Sequence, residues 1–402
     1  MNIFIAILGL GVLVLVHEAG HFFASLAVGM RPRRFYVGFP PAVAKTTRRG
    51  IEYGIGAVPL GGYVKLPGMH RPLPRDVDNA FARALAEDPR LLAPLERVKE
   101  KLDKEDLAGA RTALPAVRGA LEAAELSEGA RRSAENALVD LDDTLGSGAY
   151  WRQPMWKRIV AIAAGPGTNA VFAVAVFAAL FMITGGEATR RVEDVRPDSP
   201  AEQMGLQGGD EIRMIGMTPV TPEEIPNRIQ ASRGRPIVLI VERDGRLVTL
   251  GPERPERDGD VYRLGFTLRG EGLGPVDATG EAVVLTGQVT REIGRSILNL
   301  AGGEGREDIA SPVGIVQGSS NALSRGMETY LWVLGLISLS LALLNLLPLL
   351  PLDGGHIVFS IIEGIRGRAV GREVYERVSA VGIALVLLLF FVGLSNDVDR
   401  LS

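Results

Sequence analysis

His17-Glu18-Ala19-Gly20-His21 carries the clearest chemical signal in the chain. Two histidines four residues apart share one face of a helix, so their imidazoles can grip a single Zn²⁺. The carboxylate beside the first of them can then serve water as a general base, which is the arrangement of metal-assisted hydrolysis. The motif lies in a stretch, residues 1–30, that is otherwise free of charge and long enough to cross a bilayer. Ionisable groups placed in hydrocarbon cost about a few kcal/mol or more each, so they are found there chiefly where function requires them. A secretory signal would open with a basic region, whereas only Asn2 stands between the initiator and Ile3.

A catalytic zinc site needs a third protein ligand and keeps one position open. The chain has no cysteine, so that ligand must be His, Asp or Glu. Beyond the motif there are two histidines, His70 and His356. His70 lies near Pro72 and Pro74 and reads as a solvated loop residue. His356 closes the segment Asn345-Leu346-Leu347-Pro348-Leu349-Leu350-Pro351-Leu352-Asp353-Gly354-Gly355-His356. Its two prolines interrupt an apolar helix, and irregular backbone at membrane depth is tolerated where it is buried in protein or lines a wet cavity. Asp353 follows that break directly, with glycines behind it that permit close backbone approach. On chemical grounds carboxylate and imidazole both suit zinc, so Asp353 and His356 compete for the third position.

The elements that must hold these groups follow from the segregation of charge. The 402 residues are 47% hydrophobic yet 23% charged, with a mean hydropathy of +0.18. Charge-free runs recur at 159–186, 329–352 and 378–396, which with the first segment predicts four membrane helices. Arg31, Arg33 and Arg34, then Arg152, Lys157 and Arg158, then Arg366, Arg368, Arg372 and Arg377 flank the spans on one side. Those loops are therefore expected in the cytoplasm, with the segment between the second and third spans outside. A net charge of −3, with basic residues dispersed among acidic ones, argues against a nucleic-acid partner.

With these segments in view, the sequence resembles the bacterial site-2 proteases, intramembrane zinc metalloproteases of the type with a single PDZ domain that cuts anti-sigma factors. Its HExxH matches His17, Glu18 and His21, and its N-x-x-P-x-x-x-L-D-G segment matches Asn345, Pro348, Leu352, Asp353 and Gly354. Ala164-Gly165-Pro166-Gly167-Thr168-Asn169 is similar to the family's A-G-P-x-x-N signature, Gly61-Gly62-Tyr63-Val64-Lys65 to its G-G-Y-V-K turn, and Ser311-Pro312-Val313-Gly314-Ile315 to its P-V-G-I segment. The resemblance implies that His17, His21 and Asp353 bind one zinc ion, that Glu18 activates water, and that Asn345 helps hold the substrate chain. It also implies a bacterial inner-membrane enzyme of regulated intramembrane proteolysis. Its substrates would be single-span membrane proteins, such as anti-sigma factors, already shortened on their outer side.

The expected fold is an α-helical polytopic membrane protein with four transmembrane helices, a membrane-associated β-hairpin or sheet, an inserted helical domain and one PDZ-like α+β domain. The first helix covers 1–30 and a β region 31–74, where glycine-punctuated β-prone runs such as 51–65 read as hairpins. An exposed strand there, with Gly54 and Gly56, could take up an unwound substrate by β-augmentation; a purely structural cap is the alternative. Residues 75–150 hold 16 acidic and 11 basic residues and no run long enough to span. Leu95, Val98 and Leu102, and again Leu138, Leu141 and Leu145, fall at helical spacing, which predicts a soluble cytoplasmic bundle. The insertion departs from the family's shorter connection and could bind a cytoplasmic partner or brace its neighbours.

The second span is expected at 157–186 and a PDZ-like outer domain at 188–270, marked by Ser199-Pro200-Ala201 and a peptide loop of Gly205, Leu206, Gly209 and Asp210. Such a domain either captures peptides or excludes bulky substrates. An amphipathic helix and connector at 271–327, the third span at 329–352, a cytoplasmic loop at 353–377 and the fourth span at 378–396 complete the chain. Two rival functions are a PDZ-bearing membrane scaffold and a metal transporter. Neither requires a glutamate placed as base beside two histidines.

Overall fold

The computed structural model describes residues 1–185, 187–259 and 261–401. Gly186, which closes the expected second span, Asp260 in the outer domain and Ser402 at the tail lie outside the described residues. Among the described residues four helices are long and apolar enough to cross a membrane: α1 (Asn2–Ala27), α6 (Met155–Thr184), α11 (Met327–Asn345) and α13 (Arg372–Leu401). Between α1 and α6 come strands β1 (Arg34–Arg48) and β2 (Ile51–Lys65), then helices α2 (Pro74–Glu87), α3 (Leu92–Asp103), α4 (Leu107–Ala123) and α5 (Glu128–Leu145). After α6 the chain forms β3 (Glu187–Val195), α7 (Pro200–Gln203), β4 (Glu211–Ile215), β5 (Thr218–Pro219) and α8 (Glu224–Ala231). Strands β6 (Ile237–Arg243), β7 (Arg246–Glu253), β8 (Glu256–Asp258), β9 (Val261–Arg263) and β10 (Phe266–Glu271) follow. Helices α9 (Pro275–Ala301), α10 (Pro312–Ser324) and α12 (Asp353–Arg366) complete the set. The chain divides into two compact units, residues 174–287 and the remainder.

In the larger unit the third apolar helix stops at Asn345, short of the expected 352, because Pro348 and Pro351 cannot continue it. The polypeptide then turns back on itself and starts α12 at Asp353. Gly354 makes that return possible, since a Cβ there would collide with the carbonyls of Leu346 and Leu347. α12 is pinned to α6 by a buried ion pair between Arg158 and Glu363, and to the turn preceding α6 by a hydrogen bond of 3.1 Å between the Tyr150 and Ser360 hydroxyls. The Ser311-Pro312-Val313-Gly314 segment has a structural use. The backbone N–H groups of Ser311 and Gly314 donate to the buried Asp397 carboxylate at 2.9 and 3.0 Å, tying the start of α10 to the end of α13.

β1 and β2 are long strands bent so that their halves interleave. The 34–37 run pairs with 52–55 on one side and with 62–65 on the other, while 44–47 also pairs with 52–55. Gly54 therefore faces Tyr36 on one side and Lys45 on the other, inside the sheet, and Gly56 faces Ala42. A side chain at 54 would strike the Tyr36 ring, which lies over it and donates its hydroxyl to Glu52 at 2.7 Å. The edge turned toward the first helix is instead 62–65.

Helices α2 to α5 bury Phe81, Leu91, Leu95, Val98, Leu102, Leu114, Leu121, Leu138, Leu141 and Leu145 in one core, as the helical spacing of the leucines requires. Ion pairs attach this bundle to its surroundings: Arg33 to Asp143, Lys65 to Asp140 and Arg372 to Asp76. His70, read from the sequence as solvated, is half-buried, its ring meeting the Tyr375 ring edge-on at 4.5 Å.

The smaller unit contains a sheet in the order β10-β3-β4-β6-β7, with β5 paired to β4, around a core of Val192, Ile212, Ile225, Leu239, Val241 and Leu264. Leu206 belongs to that core and Asp210 is buried. Asp210 accepts from the Gln207 N–H at 2.9 Å and from Arg243 at 2.7 Å, so its carboxylate closes the loop instead of facing a ligand. Gly205 and Gly209 take φ of +87° and +97°, the region glycine enters without strain. A cleft of 640 Å³ lies elsewhere in the unit, between Ile225, Ile229 and Gln230 of α8 and the 261–268 segment.

Candidate active site

Because His17 and His21 are one helical turn apart on α1, their rings stand on the same face, edge to face with centroids 4.8 Å apart. Asp353, first residue of α12, reaches the same point from the far end of the sequence. The three ligand atoms form a compact triangle. His17 Nε2 is 3.2 Å from His21 Nε2, while Asp353 Oδ2 is 3.1 Å from the former and 3.4 Å from the latter. Zinc with bonds near 2.0–2.1 Å demands tetrahedral edges of about 3.3 Å. Asp353 Oδ2 is moreover buried with no hydrogen-bond donor among the described residues. A buried carboxylate oxygen and two imidazole nitrogens converging without donors between them are costly unless a cation joins them, so the residues present fit zinc. This is the one such cluster among the described residues.

His21 carries its second hydrogen bond where a zinc ligand needs it. Its Nδ1–H donates to the carbonyl of Ala161 on α6 at 2.9 Å, which leaves the Nε2 lone pair aimed at the triangle. α6 comes this close because of Gly165: a Cβ there would lie within contact of His21 Nε2 and only 2.9 Å from His17 Nε2. Packing of α6 against α1 is secured by Thr168, whose hydroxyl contacts the Val16 and Gly165 carbonyls at 3.1 and 2.8 Å.

Glu18 stands between the triangle and the sheet. Its Oε2 accepts from the backbone N–H of Val64 at 2.9 Å, so the carboxylate is held against the 62–65 edge. A backbone donor has no residue signature, and the G-G-Y-V-K turn was the nearest signal in the sequence. His356 is not among the converging ligand atoms, and its ring lies 6.0 Å from that of Tyr375. Asn345, at the last turn of α11, donates its amide to the Leu341 carbonyl at 3.0 Å and is half-buried. Gly54 does not meet the triangle's helix through its backbone edges, because both are paired within the sheet, while Gly56 is paired to Ala42.

Comparison with known proteins identifies the family. The model of peptidase family M50 matches residues 5–389. Zinc metalloprotease RasP of Oceanobacillus iheyensis is 29% identical over 98% of this chain and 98% of its own length. A protein of Agrobacterium fabrum whose name classes it as a zinc metalloprotease is 31% identical over 98% of this chain and 95% of its own. A similarly named protein of Brucella suis is 29% identical over 96% and 92%. The chain belongs to peptidase family M50, the site-2 proteases. It is a zinc-dependent membrane metalloprotease.

Proposed function

We propose that the protein is an endopeptidase that cuts single-span membrane proteins within their transmembrane segments, with His17, His21 and Asp353 as zinc ligands and Glu18 as the general base. The observation that carries this reading is the triangle of ligand atoms 3.1–3.4 Å apart, two of them on a helix apolar enough to span a bilayer. Bound there, zinc supplies Lewis acidity that polarises a carbonyl and makes water acidic near neutral pH. Glu18 takes a proton from the attacking water as its oxygen bonds to the scissile carbon, then delivers that proton to the leaving nitrogen as the C–N bond breaks.

A membrane helix hides its peptide bonds and must be drawn out before attack. The 62–65 strand edge supports that step, because it turns to α1 and its Val64 N–H already holds the Glu18 carboxylate. An extended substrate segment laid along that edge would pass beside the base. Gly54 and Gly56 then serve the sheet's shape, and Asn345 borders the site at the helix break.

The arginine-rich loops support a bacterial inner-membrane orientation with residues 75–150 in the cytoplasm and the 187–271 unit outside. That unit is read as PDZ-like. Its peptide site would be the 640 Å³ cleft beside α8, since Leu206 and Asp210 are occupied within the domain. Substrates of the anti-sigma-factor kind, cut first on their outer side, suit a protease whose outer domain limits access, in regulated intramembrane proteolysis. The test is Glu18→Gln in the full-length protein, followed by mass spectrometry of accumulating single-span proteins. The variant should keep its zinc and lose cleavage, because Glu18 is not a ligand. Cleavage near the wild-type rate would refute the assignment.

A further inference from the structure

Asn169 lies on α6 next to the metal cluster, and nothing in the mechanism above uses it. It is fully buried, and its side-chain amide is 3.5 Å from His17 Nδ1. Its Oδ1 has no hydrogen-bond partner among the described residues. Buried amide oxygens are rarely left so, because an unmade hydrogen bond costs about 1–3 kcal/mol.

His17 has the complementary need. For its Nε2 to present a lone pair toward His21 and Asp353, its proton must sit on Nδ1, and a buried N–H there needs an acceptor. His21 meets the same requirement with the Ala161 carbonyl. Around His17 Nδ1 the amide of Asn169 is the neighbouring polar group. Its two ends have nearly the same shape, so half a turn about the terminal bond brings Oδ1 to face the ring. The backbone of Asn169 is also anchored: its carbonyl accepts from the buried Ser338 hydroxyl on α11 at 2.9 Å.

We propose that Asn169 is the positioning residue for His17, accepting the Nδ1–H through Oδ1 and so fixing the tautomer and ring angle that the metal requires. The inference rests on the reading of His17 as a ligand. α6 would thereby orient both histidines, one through a backbone carbonyl and one through a side chain.

The test is a chelator competition on full-length protein in detergent, giving the zinc dissociation constant of each variant. Asn169→Leu keeps the volume and removes the acceptor; Asn169→Asp keeps the acceptor. Loss of an outer hydrogen-bond partner commonly weakens metal binding about 10- to 100-fold. Asn169→Leu should fall in that range and Asn169→Asp should stay within a few-fold of wild type. Wild-type affinity in Asn169→Leu overturns the proposal, and so does equal weakening of Leu and Asp variants, which would mark a packing role only. If Asn169→Leu does not accumulate, Asn169→Ala replaces it in the same comparison with Asn169→Asp. His17→Ala is measured alongside: wild-type affinity there would show that the ligand assignment failed, a result separate from the fate of Asn169.

Discussion

Gly165→Ala is the sharpest probe of the site, because one methyl group lands on two ligands at once. An added Cβ would stand 2.9 Å from His17 Nε2 and still closer to His21 Nε2 and Cε1. Ordinary contact begins near 3.4 Å, so the His17 ring must yield about 0.5 Å and the His21 ring more, whereas metal sites tolerate roughly 0.2 Å in ligand distance. Zinc binds its protein sites with an apparent free energy of roughly 10–16 kcal/mol. Losing one of the three protein ligands should then remove about 3–5 kcal/mol, which is about 100-fold or more in affinity. Helix stability moves the other way, since alanine is favoured over glycine by about 1 kcal/mol in a helix interior. The variant should therefore insert and fold while failing to retain zinc during dialysis against a chelator. Gly167→Ala is the matched control, because a Cβ there meets nothing within 4 Å. Equal zinc content in Gly165→Ala and wild type would refute the described approach of α6 to the histidines.

Two further outcomes are expected. A reporter fused after residue 110 should be active in the cytoplasm and one fused after residue 255 outside; both on one side would remove α6 as a span. Burial against the Tyr375 ring, reinforced by nearby Arg372, pushes the His70 pKa below its ordinary 6.5. The folded state thus favours neutral His70, and the stability this contributes is present above about pH 6.5 and is lost as pH falls from there through the lowered folded value. Hydrogen exchange of residues 66–72 should accelerate at pH 5.5 relative to pH 7.5 beyond the intrinsic change, and His70→Phe should remove the excess. No excess in wild type would show that the ring is not held there.

What the sequence determined by itself was local or compositional. Two histidines at i and i+4 must share a helix face, so half of the metal site follows from helix geometry alone. Long uncharged runs must leave water, so the four apolar helices were legible too, as were the leucines that close the helical insertion. Asp353 was visible as a carboxylate after a helix break, but its choice over His356 depends on where a residue 332 positions beyond His21 comes to rest, and packing alone decides that. Strand composition does not reveal which segment ends up flanked on both sides. Gly54 therefore looked available until the pairing with both Tyr36 and Lys45 placed it inside the sheet. A loop motif likewise does not say which way its side chains point, and Asp210 turned inward to Arg243. The partners that orient the site are the least legible of all. The Ala161 carbonyl and the Val64 N–H are groups that nearly every residue possesses, and Asn169 acquires its meaning from His17, a residue 152 positions away. Only a tertiary structure gives a backbone atom an address, because its chemistry is the same everywhere in the chain and its neighbours are not.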